Sequence, residues 1–362
     1  MRPELQLLDR HPHLFASGLP TLIVDPPDTD ILRFTTADTQ TEFWTRNHGV
    51  ARRLQPHAPV HSQLWAPDKI FERAILFLPK GRQAQNMTFA QVRRQLAKDR
   101  SAFVVGANQA GIKGALSHLR RYIGDTRVLD TARRCTLVQV HGEPQDPDVD
   151  DEDWRQQWSV QAARQTLHVI SYPGTFSAGV LDKGTELLLT ALSGAKVGLR
   201  VLDLGCGSGV LGGVLAKANP KAWVQLLDIH AAAVASTAAT LARNNITNAS
   251  CAASEWYEAA KGPFDTIVCN PPFHQGIRTD VSMIQAVLDG APGYLDPKGM
   301  LWLVANRHLP YMSDLQKTFA EVTIARETTK FRVYRCRQPL TPTRLSGKSR
   351  RAMHADSSNP YE

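Results

Sequence analysis

Short apolar runs bounded by glycine, proline or asparagine alternate along this chain with stretches whose apolar residues recur at helical spacing. A continuous apolar run too short for a helix reads as a strand buried on both faces. Strands separated by helical stretches read as βαβ units of a mostly parallel sheet. The second half of the chain follows this pattern closely. Arg200-Val201-Leu202-Asp203-Leu204 predicts a buried strand, Val210 to Ala218 an apolar helix after a glycine turn, and Trp223 to Asp228 a second strand. Ala231 to Asn244 predicts an alanine-rich helix, Asp265 to Cys269 and Gly299 to Val304 further strands, and Phe331 to Tyr334 an edge strand.

The first half reads as a faded copy of the second. Thr21-Leu22-Ile23-Val24-Asp25 parallels Val201 to Leu204, with Pro26-Pro27-Asp28 in place of the glycines. Ala74 to Lys80 resembles Thr266 to Pro272 without the asparagine, and Ala102 to Asn108 parallels Met300 to Asn306. The acidic, proline-containing segment 142–153 reads as an exposed linker between the halves. The expected fold is therefore α/β, with two tandem doubly wound Rossmann-like domains of which the N-terminal one is degenerate. The expected boundaries are 1–152, 153–340 and a basic, disordered tail at 341–362.

Composition narrows the setting. A chain of 362 residues, 43% hydrophobic and 21% charged, can bury a core in each of two domains without disulfide or metal staples. Five cysteines without a CxxC pair argue against a disulfide framework or structural zinc, so no metal and a cytoplasmic location are expected. No apolar stretch is long enough for a membrane span, and a monomer is expected. The net charge of +8 suits a polyanionic partner but does not require one. Its distribution is uneven, with acids crowded at 143–153 and basic residues at 326–351.

Asp203-Leu204-Gly205-Cys206-Gly207-Ser208-Gly209 follows a strand and opens a helix. Glycines let the backbone approach a ligand, and the helix start offers unpaired N–H groups. Gly207-Ser208-Gly209-Val210-Leu211-Gly212 also satisfies the dinucleotide fingerprint, and Asp228 stands where a ribose-binding acid belongs. Two features favour S-adenosyl-L-methionine over a dinucleotide. Asp203 completes a D-x-G-x-G-x-G pattern, and an acid there suits a cationic methionine end but repels a pyrophosphate. The second feature is Asn270-Pro271-Pro272-Phe273 at a later strand end, which has no task in hydride transfer.

That tetrad fits an exocyclic amine. A nucleobase amino group is a poor nucleophile because its lone pair is delocalised into the ring. The Asn270 side-chain oxygen and the Pro271 carbonyl can each accept one of its N–H bonds, drawing the nitrogen toward sp³ character. Pro271 and Pro272 stiffen the loop, and Phe273 can stack on the base for about 1–3 kcal/mol. His274 could take up the released proton or be merely positional.

Beyond these motifs, the chain resembles the bacterial 16S rRNA (guanine-N2) methyltransferase C family over nearly all its length. The resemblance is carried by Pro173-Gly174-Thr175-Phe176-Ser177, Leu181-Asp182-Lys183-Gly184 with Leu187-Leu188-Leu189, the loop Val201 to Gly209, and Asn270 to His274. In the first half it is carried by Phe103-Val104-Val105-Gly106 and Ala132-Arg133-Arg134-Cys135. The resemblance implies methylation of a guanine N2 of 16S rRNA in the assembled 30S subunit. It also implies Phe176, Asp182 and Gly184 at the methionine end of the donor, with Ser254 near the adenine. Val304 to Leu309 and Cys269 to Gln275 look closer to the sister family acting on 23S rRNA.

A base inside folded RNA must be flipped out to react, so basic surface is expected beyond the catalytic loop. Candidates are Arg93, Arg94, Lys98, Arg120 and Arg121, and in the tail Arg344, Lys348, Arg350 and Arg351. The first half is expected to serve as an RNA-binding platform and chaperone. Rival readings are methylation of protein glutamine or DNA adenine, and a non-catalytic RNA-binding assembly factor.

Overall fold

The computed structural model describes residues 1–15, 18–35, 40–145, 150–271 and 277–340, without the side chains of 277–282. Pro272, Phe273, His274 and the tail from 341 lie outside the described residues.

In the first half, strands β1 (Thr21–Val24), β2 (Thr41–Trp44), β3 (Val60–His61), β4 (Phe71–Phe77), β5 (Leu96–Ala107), β6 (Asp125–Ala132) and β7 (Cys135–His141) form one sheet in the order β3-β2-β1-β4-β5-β7-β6. Helices α1 (Pro3–Leu8), α2 (His48–Leu54), α3 (Arg82–Gln95) and α4 (Ile112–Tyr122) accompany it. A hairpin of β8 (Gln156–Ala162) and β9 (Gln165–Ser171) follows.

The second half holds α5 (Lys183–Leu192), β10 (Arg200–Leu204), α6 (Val210–Ala218), β11 (Trp223–Asp228), α7 (Ala231–Arg243), β12 (Ala249–Ala253), β13 (Phe264–Cys269) and α8 (Ile277–Tyr294). It closes with β14 (Leu295–Asn306), α9 (Met312–Thr318), β15 (Phe319–Glu327) and β16 (Phe331–Pro339). Its sheet order, β12-β11-β10-β13-β14-β16-β15, repeats that of the first half strand for strand. The doubly wound duplication expected from sequence is thus present. One expectation is corrected: β16 is not an edge strand, because it pairs with β14 on one side and β15 on the other.

The pairing registers align the halves residue by residue. Thr21 faces Arg73 as Val201 faces Thr266, and both sheets shift register at the same place, between Phe71 and Arg73 and between Phe264 and Thr266. Arg73 therefore matches Thr266, and Ser101 matches Met300, one residue earlier than the sequence parallel. By these registers Ile23 stands at the position of Asp203, Asp25 of Gly205, Thr45 of Asp228 and Phe77 of Asn270. These four positions of the second half are thus something else in the first. Asp25 is instead bonded to the buried Arg46, which also donates to Thr88 at 2.7 Å.

The halves meet at equivalent points. Asn47 and His230 are the N-caps of α2 and α7, occupy matching positions in the two copies, and form an antiparallel bridge with each other. His48 N–H donates to the Ile229 carbonyl at 2.9 Å, and Ala231 N–H to the Arg46 carbonyl at 2.8 Å. The contact therefore has local two-fold symmetry. Around it, Arg53 donates to both Glu255 oxygens at 3.1 and 3.0 Å, and Arg52 pairs with Glu258 at 2.9 Å. A small apolar cluster of Leu64, Met87 and Ala232, flanked by Trp65 and Tyr172, closes the junction.

Half-exposed pairs of this kind contribute about 0.2–1 kcal/mol each. The double reversal Arg52→Glu with Arg53→Glu replaces attraction by repulsion against Glu255 and Glu258. It should lower thermal stability by about 1–3 kcal/mol, part of it recovered at high salt, where screening weakens the repulsion. Unfolding followed at low and high salt reads this directly; equal losses at both would show that charge is not the cause.

The acidic segment also proves to be more than a spacer. Arg93 donates to Glu143 at 2.9 Å, Arg94 pairs with Asp151, and Trp154 packs against the core of the first half. Two of the candidate RNA-binding arginines are thus engaged by the chain itself. Among the described residues, no helix is long and apolar enough to cross a membrane.

Candidate active site

The site is built where β10 and β13 end side by side. They run parallel with Leu204 facing Cys269, so the next residues, Gly205 and Asn270, emerge together at the carboxyl edge of the sheet. Both strands are buried on both faces, as their apolar runs require. After β10 the chain turns through Gly205, Gly207 and Gly209 with φ of 79°, 55° and 75°. Side-chain-bearing residues avoid this region, so the D-x-G-x-G-x-G spacing is a backbone requirement. Gly209 opens α6, and a Cβ there would lie 3.1 Å from Thr237.

Asp203 is 1% exposed, and its Oδ2 accepts from Gly212 N–H in the first turn of α6 at 2.8 Å. Burial pushes its carboxyl up to about 7; the Gly212 bond opposes this and the nearby Asp228 charge adds to it. Among the described residues no cation pairs with it, so the site holds a buried acid suited to a cationic ligand. Asp228 ends β11 and is spent partly on backbone, with Oδ2 accepting from Gly207 N–H at 3.0 Å and Oδ1 from His230 N–H at 2.9 Å. Burial raises its carboxyl too, and these backbone bonds oppose the rise. His230 beside it stays neutral: burial first, then the Arg46 charge, lowers its ring to about 4, with Asp25 opposing.

Asn270 is held from the far side of the cleft. Asp182 N-caps α5 by accepting from Thr185 N–H at 2.9 Å. The Asn270 amide nitrogen donates to Asp182 Oδ2 at 2.9 Å and to Thr185 Oγ1 at 2.8 Å. Gly184 is buried behind this group, where a Cβ would come within 2.9 Å of Asp182 Oδ2 and 3.2 Å of Asn270 Oδ1. Pro271 is buried directly after it.

These elements line an open cavity. Its walls include Phe176, Asp182, Asp203, Gly205, Gly207 and Asn270 from the sequence reading. They also include Trp158, Thr185 and Ser208, which that reading passed over. Phe176 and Val180 keep exposed apolar surface at the cavity. Gly184, Gly209, Asp228 and Ser254 are not among the lining residues. Ser254 is held within its own turn. It is 2% exposed, and its hydroxyl bonds the Trp256 carbonyl at 2.9 Å and Ala259 N–H at 3.0 Å, so its side chain is committed to its own turn. Trp158 comes from the hairpin before the motifs and carries no spacing signal. Thr185 stands three residues after the N-cap acid, which accounts for its backbone bond to Asp182 but not for its side-chain contact with Asn270.

Comparison with known proteins agrees with this geometry. Residues 166–335 match the Methyltransferase small domain family, and residues 6–158 its N-terminal companion, Methyltransferase small domain N-terminal. A ribosomal RNA small subunit methyltransferase C of Pseudomonas aeruginosa is 36% identical over 93% of this chain and 100% of its own. One from Acinetobacter baumannii is 33% identical over 87% of this chain and 94% of its own. A solved Thermus thermophilus structure, a 16S rRNA N2 G1207 methyltransferase in complex with AdoMet and guanosine, shares the fold with a TM-score of 0.79 at 24% identity, over 88% of each chain. With a matched pair of sheets, the glycine loop and Asn270 at one cavity, and identity of this extent, the chain belongs to the ribosomal RNA small subunit methyltransferase C family.

Proposed function

We propose that this chain transfers a methyl group from S-adenosylmethionine to the exocyclic N2 of a guanine in 16S rRNA. The observation that carries the reading is the opening of Asn270 onto the same cavity as the glycine loop and Asp203. A cationic donor fits that cavity because the buried Asp203 carboxyl has no cation of its own among the described residues. When bound, S-adenosylmethionine supplies an electrophilic methyl on a sulfonium centre.

The remaining work belongs to the chain. Gly205 and Gly207 leave room for close approach of the donor, Gly209 starts the helix beneath it, and Asp228, at the end of β11, is read as the ribose-binding acid. Phe176, Asp182 and Gly184 bound the methionine side, directly or by holding the wall. The Asn270 oxygen and the Pro271 carbonyl accept the two N–H bonds of the target amine and aim its lone pair. Orientation of this kind, with acceptors set in advance, is the main source of rate for an in-line transfer. Pro272 and Phe273, outside the described residues, complete the tetrad in this reading. The small subunit comes from the name the family's members carry, and the guanine from the Thermus thermophilus protein, which is described as a 16S rRNA N2 G1207 methyltransferase. The assembled 30S particle is the substrate in this reading, which puts the work in the cytoplasm, in a monomer with one active site.

The first half, 1–152, serves as RNA platform and support for the catalytic half, 153–340, and the basic tail, 341–362, adds charge. Tritiated donor offered to 30S subunits, 50S subunits, naked 16S and 23S RNA, DNA and release factor tests the whole reading. Label in guanine of 30S alone is expected. Label only in 50S would move the substrate to the large subunit, and label in none would remove the enzymatic reading.

A further inference from the structure

A primary amide has one donating and one accepting end of nearly the same shape, so its partners decide which end faces a substrate. At Asn270 that decision falls to Asp182. An ionised carboxylate only accepts, so turning the amide over would set two oxygens against each other at the 2.9 Å now spanned by a hydrogen bond. The Thr185 hydroxyl, at 2.8 Å, can meet either end and acts as the second anchor. The same Asp182 oxygen also accepts Thr185 N–H, so the first turn of α5 fixes the rotamer of the carboxylate. With both N–H bonds of the amide engaged, its oxygen is the end left to accept. Gly184 allows the approach, because any side chain there would wedge between the two partners.

We propose that Asp182 and Thr185 are positioning residues for methyl transfer, acting through Asn270: they present its oxygen to the target amine. On this view the Asp182 charge is not needed to hold the donor. The inference rests on the reading of Asn270 as amine acceptor given above.

Two substitutions at one position separate the roles. Serine caps a helix about as well as aspartate, but its hydroxyl is too short to reach Asn270. Asparagine keeps an oxygen where Oδ2 now stands and can accept both N–H groups, while losing the charge. In the full chain acting on 30S subunits, Asp182→Ser should lower kcat by about 10–100-fold with donor KM little changed, since misplacing a reacting group by about 1 Å can cost about 10²-fold. Asp182→Asn should recover most of that loss, with donor affinity by calorimetry within about threefold of wild type. Thr185→Val should lower kcat by about tenfold, and Thr185→Ser should restore it.

Full kcat in Asp182→Ser, or tenfold weaker donor binding in Asp182→Asn, would overturn the proposal, the second by showing that the charge serves the donor. Thermal unfolding of each variant identifies any that lose the fold, and Thr185→Val then decides alone. If instead Asn270→Ala methylated 30S guanine at the wild-type rate, the reading of Asn270 would fail, an outcome distinct from either of these.

Discussion

Replacing Asn270 with alanine is expected to lower methyl transfer to 30S subunits by about 10²–10³-fold, while donor affinity stays within about threefold. The magnitude is that of removing one preorganised hydrogen-bond partner of the transition state. The asymmetry between rate and binding follows from the proposed roles: the glycine loop and Asp203 remain, and the amide oxygen lost is the one assigned to the target amine. Asn270→Asp is the sharper variant. It is isosteric and keeps an oxygen toward the amine, yet it cannot donate to Asp182, and two carboxylates would meet where a 2.9 Å hydrogen bond now stands. It should be nearly as inactive as alanine at neutral pH. Single-turnover rates with saturating donor, beside calorimetric donor binding, measure both quantities. A wild-type rate in Asn270→Asp would show that the amide end facing Asp182 is irrelevant.

The second large effect is expected at Asp203. Its carboxyl titrates near 7 in the folded chain against an ordinary value of 3.8. A raised acid means that the folded state binds more protons than the unfolded state between those values. The cost to stability is absent below about pH 4, grows through the interval and is complete above about pH 7. Asp203→Asn keeps an acceptor for Gly212 and removes the charge. It should therefore stabilise the donor-free protein by roughly 4 kcal/mol at pH 8 and by almost nothing near pH 4.

The same change should weaken donor binding by about 10–100-fold, since it removes the buried partner of a cation. Wild-type binding below pH 7 should release a proton, visible as a dependence of calorimetric heat on buffer ionisation and missing in the variant. Unfolding curves from pH 4 to 8 check the stability half. A constant difference across that range would mean that Asp203 does not titrate there. His230 acts with the opposite sign: its ring is lowered to about 4 from 6.5, so protonating it costs stability as pH falls through that window.

How much of this was legible in the sequence depended on the kind of signal. The strands at 200–204 and 223–228 and the helix at 210–218 were read to the residue, because unbroken apolar runs end at glycines or turns. The parallels drawn for β4 and β5 slipped by one residue, because strands buried on both faces lack the alternation that fixes register. Strand β15 was missed for the opposite reason: past Phe319 and apart from the half-buried Val322 it is exposed along its length, so its side chains report neither face. Without β15, β16 looked like an edge. At the site, Asn270 and the glycines announced themselves by backbone-driven spacing. Thr185 did not, since its part depends on a partner 85 residues away that only the closing of the sheet brings near. Ser254 was assigned by resemblance, and its hydroxyl turned out to be bound within its own turn.

The symmetric junction between Asn47 and His230 bears on how little adhesion the two halves need. A contact made mainly of two backbone hydrogen bonds, a few half-exposed ion pairs and a small apolar cluster would scarcely hold separate molecules together at cellular dilution. Joined through residues 142–155, the two surfaces meet at the effective concentration of a short tether, in the millimolar range. Covalent fusion thus supplies as concentration what these contacts need not supply as affinity. It also explains how one copy could shed Asp203, Gly205, Asp228 and Asn270 from its own matching positions while the surface around its N-cap was kept.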